Sequence, residues 1–194
     1  MRIGGETLVP GFLQRMWETL PQGRVPAKIF NDPLVYELEK ERLFSRCWVF
    51  LAHESEIPHP GDYVLRWIAD NSVIVIRDEE GQVRAHINRC PHRGNQVCKA
   101  ELGNASHFRC SYHGWTFKNT GELVGVPYYR EVYQEKLNKD EWGLKAVRIE
   151  TYQGLIFGNL DPDAEPLMDY LGGFQFYLDF FLKPGPSGTE VYGP

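Results

Sequence analysis

The chain has 194 residues, 42% of them apolar and 13% aromatic, with a formal net charge of −5. That length can bury a sizeable core in one domain with appendages, and the composition excludes a disordered chain. The acidic balance argues against a general nucleic-acid binder, and no apolar run approaches the roughly 18 residues of a membrane span.

Met1-Arg2-Ile3-Gly4-Gly5-Glu6 lacks the apolar stretch of a secretory leader, so a reducing, cytoplasmic setting is expected. Phe12, Leu13, Met16, Trp17 and Leu20 recur at helical spacing until Pro21 stops the run. Asn31-Asp32-Pro33 supplies a cap and a first-turn proline, and Leu34, Leu38, Leu43 and Phe44 carry an apolar stripe, which predicts a helix over 33 to 45. From Trp48 the pattern turns to short strands over 48–52, 63–68 and 73–76, rich in β-branched and aromatic residues. Asp78-Glu79-Glu80-Gly81 reads as a solvated turn, with 83–87 as its returning strand. A second hairpin is expected around Lys118–Gly121, joining 116–117 to 123–124, and a third joins 144–150 to 155–157. Helical spacing returns over 166 to 182, weakened by about 1 kcal/mol at each of Gly172 and Gly173. Lys183-Pro-Gly-Pro-Ser-Gly188 has the composition of a linker. The expected organisation is a helical segment over 1–47, a mainly β domain over 48–165, and a helix with a linker over 166–194. Short strands with regular punctuation predict a mainly β sandwich or small barrel.

The four cysteines are Cys47, Cys90, Cys98 and Cys110. Structural disulfides are rare in the cytosol, and Cys90 and Cys110 each have a histidine within three residues, which points to a metal. The pattern is C-x-H-x17-C-x-x-H, from Cys90-Pro-His92-Arg93-Gly94 and Cys110-Ser-Tyr112-His113-Gly114-Trp115. Structural zinc normally takes a cysteine pair and a histidine pair, each with a spacer of about two to five residues. Here each island offers one of each, and a single residue separates Cys90 from His92. A two-iron centre with unlike irons asks for that arrangement: Cys90 and Cys110 on one iron, His92 and His113 on the other. Gly94 and Gly114 would let the backbone turn tightly against the group. Two thiolates bring an oxidised core of about +2 to about zero, whereas four bring it to about −2, so neutral imidazoles raise the reduction potential.

These islands resemble the Rieske motif of the large (α) subunits of aromatic-ring-hydroxylating dioxygenases. The similarity extends through Trp48-Val-Phe50, Gly61-Asp62-Tyr63, Gly103-Asn104, Phe108-Arg109, Gly121-Glu122-Leu123 and Gly154-Leu155-Ile-Phe157. The resemblance implies the Rieske iron–sulfur fold, stacked small antiparallel sheets with a cluster-binding subdomain at about 86–124, and flanking helices. It implies a [2Fe-2S] cluster with Cys90, His92, Cys110 and His113 as ligands and Arg93, Gly94, Tyr112, Gly114 and Trp115 around it. It implies one-electron transfer from a ferredoxin or reductase to a mononuclear non-haem Fe(II), in an enzyme that makes cis-dihydrodiols. That iron is expected in a further domain, because His53, His59, His86 and His107 form no helical ligand pair; no catalytic residue is assigned here. Other α subunits in a trimer, and a β subunit, are implied partners, with no nucleic acid and no membrane. A free-standing Rieske-type ferredoxin is the alternative, although such carriers look shorter.

Respiratory-chain Rieske proteins carry a disulfide between the ligand loops and a serine that donates to a sulfide; Asn95 with Tyr112, and Trp115, stand there instead. Fewer donors to sulfur predict a potential near the low end of the Rieske range, about −150 mV. Within the resemblance, Arg93 anchors the first loop, the Tyr112 hydroxyl donates to a cysteine sulfur, and Trp115 shields the cluster and lines a docking face. Cys47 and Cys98 are read as small buried apolar residues, His53, His59 and His107 as surface or loop residues, and Asp161-Pro-Asp163 as a solvated turn. His86 could brace the first loop. Arg93, Lys99 and Arg109 could steer an electron donor.

Overall fold

The structure is a computed structural model that describes residues 2–3, 6–7, 12–183, 185 and 188–192. The chain divides into two compact units, residues 1–46 and 47–194. In the first, β1 (Arg2–Ile3) pairs antiparallel with β2 (Glu6–Thr7). Helix α1 (Phe12–Thr19) tightens into a 3-10 turn containing Pro21 and ends where Gly23 enters the left-handed region at φ 69°. Trp17, expected on its buried stripe, is 67% exposed, and the side chain of Leu13 lies outside the described residues. Helix α2 (Pro33–Glu39) starts as its sequence predicts: the Asp32 carboxylate accepts the Leu34 N–H at 2.9 Å, and Pro33 takes the position whose N–H would go unused. The expected helix over 33–45 is not uniform, because residues Lys40–Phe44 widen into a π-helical turn.

The second unit stacks small antiparallel sheets. Strand β3 (Val49–His53) is followed by β4 (Asp62–Ile68), β5 (Asn71–Arg77), β6 (Val83–Ile87) and β7 (Leu102–Asn104). Then come β8 (His107–Arg109), β9 (Thr116–Lys118), β10 (Leu123–Gly125), β11 (Arg148–Tyr152) and β12 (Leu155–Asn159). The central sheet runs β6-β5-β4-β7, flanked by the three-stranded sheets β10-β9-β8 and β11-β12-β3. Val73-Ile-Val-Ile76 explains the layering. All four side chains are fully buried, and strand alternation sends Ile74 and Ile76 to one face and Val73 and Val75 to the other. On the first face they meet Phe108, Phe117 and Leu123 of the β8–β10 sheet, together with Cys90, Cys110 and Trp115. On the second they meet Leu51, Ala52 and Ile156.

The third hairpin is shifted from its expected place, since β11 starts at Arg148 rather than at Leu144. The helix expected over 166–182 is two helices, α3 (Leu167–Leu171) and α4 (Phe174–Leu182), broken where Gly172 takes φ 47°. Leu167 and Leu171 pack on Trp48 and Tyr152, so this segment belongs to the core of the second unit. The Trp48 indole N–H donates to the Glu165 carbonyl at 2.9 Å, and the Tyr152 hydroxyl donates to Asp179 at 2.6 Å. Of the expected linker, Pro184, Pro186 and Ser187 lie outside the described residues. Among the described residues no helix is long and apolar enough to cross a membrane.

Candidate metal centre

The first cysteine–histidine island follows β6, and the second is the turn between β8 and β9. Both adopt one hydrogen-bond frame. The Cys90 N–H donates to the Asn95 carbonyl at 2.8 Å, and the Gly94 N–H returns to the Cys90 carbonyl at 2.8 Å. In the second loop the Cys110 N–H donates to the Trp115 carbonyl at 2.8 Å, and the Gly114 N–H returns to the Cys110 carbonyl at 2.9 Å. Each loop closes on a glycine in the left-handed region, at φ 77° for Gly94 and 72° for Gly114. A Cβ on Gly114 would also come within 3.0 Å of Pro127, so both conformation and space hold that position to glycine. The histidines sit one step apart within otherwise equivalent frames, which is the physical content of C-x-H against C-x-x-H.

Cys90 and Cys110 are each 2% exposed and interact with one another. Burial pushes the Cys90 thiol up against the N–H groups of His92 and Arg93, and the neighbouring Cys110 sulfur pushes the same way. Burial opposes ionisation of Cys110 too. The N–H groups of Tyr112 and His113, with the Asn95 amide, outweigh it and hold that thiol below its ordinary value. The rings of His92 and His113 lie 4.7 Å apart. Burial, then the neighbouring His113 and Arg93, hold His92 below its ordinary pKa, and its Nδ1 is buried without a hydrogen-bond partner. Trp115 stacks on His92 at 4.8 Å with nearly parallel planes. A cleft of about 840 Å³ opens over this edge, walled by Tyr112, His113, Tyr128 and Val132.

These residues fit a two-iron group. Paired buried sulfurs stand beside paired imidazoles, and an orphaned ring nitrogen asks for a partner that no protein atom supplies. Among the described residues no three His, Cys, Asp or Glu side chains gather as a single ion would need. Each iron of a two-iron centre takes only two protein donors.

Several expected roles are corrected. The Tyr112 hydroxyl reaches neither sulfur: its ring stacks on His113 at 3.8 Å and is 56% exposed at the cleft mouth. Arg93 contributes its backbone N–H to Cys90, while its exposed guanidinium lies 5.8 Å from the Tyr112 ring. Trp115 is 2% exposed, stacks on His92 and helps to line the cleft. Cys98 is in the core, its Sγ 3.6 Å from the Ala100 carbonyl, whereas Cys47 is only partly buried. His53 is no surface residue. It is buried and caps a 3-10 turn, its Nδ1 accepting the Ser55 N–H while Glu56 accepts its own. Asp78 is likewise buried in its turn, accepting from the Glu80 and Gln82 N–H groups and from Arg84. His59, Lys99, His107 and Arg109 are exposed.

Two asparagines carry structure that the motif did not reveal. Asn88, 2% exposed, accepts the N–H groups of Val97 and Cys98 at 3.1 and 2.9 Å and donates to the Cys98 carbonyl at 2.7 Å, fixing the far end of the first loop to its start. Asn95 reaches from the first loop to the second, with Nδ2 3.3 Å from Ser111 Oγ. The only hint in the sequence is an amide at each end of the first cysteine–histidine island.

His86 ties the stems of both loops together. From β6, its Nε2 donates to the Asn119 carbonyl at 3.1 Å beyond β9, and the ring packs so closely on Gly121 that a Cβ there would meet it at 2.7 Å. Burial lowers its pKa from 6.5 to about 4, against the pull of the Asn119 carbonyl. The unfolded chain therefore takes up this proton first. The stability contributed by the neutral ring is complete above pH 6.5 and is lost progressively down to pH 4, on the order of 3 kcal/mol. A His86→Gln protein should lose that part of the pH slope in urea unfolding; an unchanged difference between pH 7 and pH 4.5 would contradict it.

A family model described as the Rieske [2Fe-2S] domain matches residues 47–148. The chain is 42% identical over 187 residues to the benzene 1,2-dioxygenase subunit alpha of Pseudomonas putida, covering 92% of this chain and 41% of that protein. It is 41% identical over 189 residues to the N,N-dimethyl phenylurea N-demethylase subunit alpha of a Sphingobium species, covering 97% of this chain and 41% of that one. Among solved structures, naphthalene 1,2-dioxygenase from a Rhodococcus species matches with a TM-score of 0.89 at 53% identity, over 94% of this chain and 42% of that chain. The chain spans about two fifths of the length of the relatives it matches.

Proposed function

Because the chain belongs to the Rieske [2Fe-2S] domain family, we propose that it passes single electrons through a centre held by Cys90, His92, Cys110 and His113. Cys90 and Cys110 would hold one iron through sulfur, and His92 and His113 the other through ring nitrogen. The observation that carries this is the shared frame of the two loops, which offers a buried sulfur and an imidazole from each side. When bound, such a group accepts and releases one electron at a time. The protein holds it ready. Backbone N–H groups face both sulfurs, Trp115 keeps water off one face of His92, and His113 lies under Tyr112 at the cleft.

The parent protein is the large subunit of an aromatic-ring-hydroxylating dioxygenase. A ferredoxin or reductase would supply the electrons one at a time, and a mononuclear non-haem iron outside the matched region would use two of them, with O2 and two protons, to convert an aromatic ring to a cis-dihydrodiol. It works in the cytoplasm with other α subunits, in a trimer, and with a β subunit. Support comes from relatives that are named alpha subunits and that match well beyond 47–148, into helices that a free-standing carrier does not need. One relative of similar identity is named an N-demethylase.

Purified protein should contain iron and acid-labile sulfide in equal amounts and give one voltammetric wave of a single electron, with a midpoint near about −150 mV. Colourless protein with one zinc, or a midpoint well above zero, would overturn the reading.

A further inference from the structure

Asn95 stands where the two ligand loops meet. Its carbonyl closes the first loop on the Cys90 N–H at 2.8 Å. Its side chain leaves that loop, with Nδ2 2.9 Å from the Gln96 carbonyl, 3.3 Å from Ser111 Oγ and 3.6 Å from Cys110 Sγ. A carbonyl can only accept, so the contact with Gln96 fixes the amide with its NH2 group, not its oxygen, toward the sulfur. The other donors to the two sulfurs, apart from the cysteine thiols themselves, are backbone N–H groups. Among the described residues Asn95 is thus the one non-cysteine side chain that donates to either sulfur, and it does so across the gap between the loops.

We propose that Asn95 is a positioning residue that sets the electron affinity of the centre, its amide facing the Cys110 sulfur and stabilising the extra negative charge that the centre as a whole carries once an electron is added. The inference rests on the proposed role of Cys110 as a ligand. In the step concerned, one ferric ion becomes ferrous with an electron from the donor protein; no covalent bond forms or breaks and no proton moves. A hydrogen bond to an ionised acceptor is among the stronger ones, and its strength grows with the charge on that acceptor, so it favours the reduced state.

The test is the midpoint potential of the cluster-loaded protein, read by voltammetry. Asn95→Leu removes the donor at similar size. At a fixed applied potential its reduced-to-oxidised ratio should fall about three- to tenfold, which at 59 mV per decade for one electron is a midpoint about 30 to 60 mV more negative. Asn95→Asp places a carboxylate against the sulfur and should shift the ratio further the same way. Ser111→Ala cuts the link of the same amide to the second loop's hydroxyl but keeps the donor, and should leave the midpoint where it is. An unmoved midpoint in Asn95→Leu with an intact visible spectrum would overturn the inference, as would an equal shift in Ser111→Ala, which would make Asn95 a brace only. Should Asn95→Leu fail to hold iron, pulsed EPR of the reduced wild-type protein, labelled with 15N in asparagine side chains, decides. A hyperfine coupling from that label supports the inference and its absence overturns it. Wild-type protein lacking iron and sulfide would instead sink the functional reading beneath it.

Discussion

His92→Ala and His113→Ala proteins are expected to lose the red-brown colour, with iron and sulfide falling together toward zero. The proposed centre gives each iron two protein donors, so removing one imidazole leaves an iron held at a single point. His113 lines the cleft beneath the 56% exposed Tyr112, so water would reach an iron held there and could carry it away. The thiolate pair cannot compensate, because both sulfurs are buried behind the loops and belong to the other iron. Metal analysis and visible absorption read the result directly. Cys98→Ala is the matched control: its sulfur contacts the Ala100 carbonyl, and its iron content should equal that of the wild type. An alanine variant at either histidine that kept the full spectrum would remove that residue from the ligand set.

Asn88→Leu is expected to cost about 4 kcal/mol or more in urea unfolding and to reduce iron loading, although Asn88 is no ligand. The substitution leaves the Val97 and Cys98 N–H groups and the Cys98 carbonyl without partners in a buried setting. Each unsatisfied group costs about 1–3 kcal/mol, and the total is a large share of the roughly 5–15 kcal/mol that stabilises a domain. The first loop runs from Asn88 to Cys98, so losing its clasp releases Cys90 and His92 as well. A loss below about 1 kcal/mol, with iron unchanged, would show that the loop is held by its backbone frame alone.

The ligand motif and the central strands were legible because their chemistry is local. Val73-Ile-Val-Ile76 can bury four apolar side chains only as a strand covered on both faces. Strands β7 and β8 escaped detection because Leu102-Gly-Asn104 and His107-Phe-Arg109 lack β-branched residues and owe their form to pairing with β4 and β9. Gly172 and Gly173 signalled a weak helix, but the break required the left-handed backbone at Gly172. His53 and Asp78 read as solvated because each sits in a polar stretch at a turn. Burial became affordable only through the nearby N–H groups that their side chains accept. The roles of Asn88 and Asn95 were hidden for a different reason. Their partners lie up to 16 residues away and are backbone groups, small side chains and a sulfur, which leave no pattern in the sequence. The Asn95 donor also adds one hydrogen bond to a site where sequence comparison with respiratory-chain relatives led us to expect fewer.

Mössbauer spectroscopy of the 57Fe-enriched protein tests the division of ligands most directly. With two sulfurs on one iron and two imidazole nitrogens on its neighbour, the oxidised protein should give two doublets of equal area and different isomer shift. On reduction only one of the two, that of the nitrogen-ligated iron, should move to ferrous values. A single doublet from equivalent irons, or a spectrum from one isolated iron, would contradict the account.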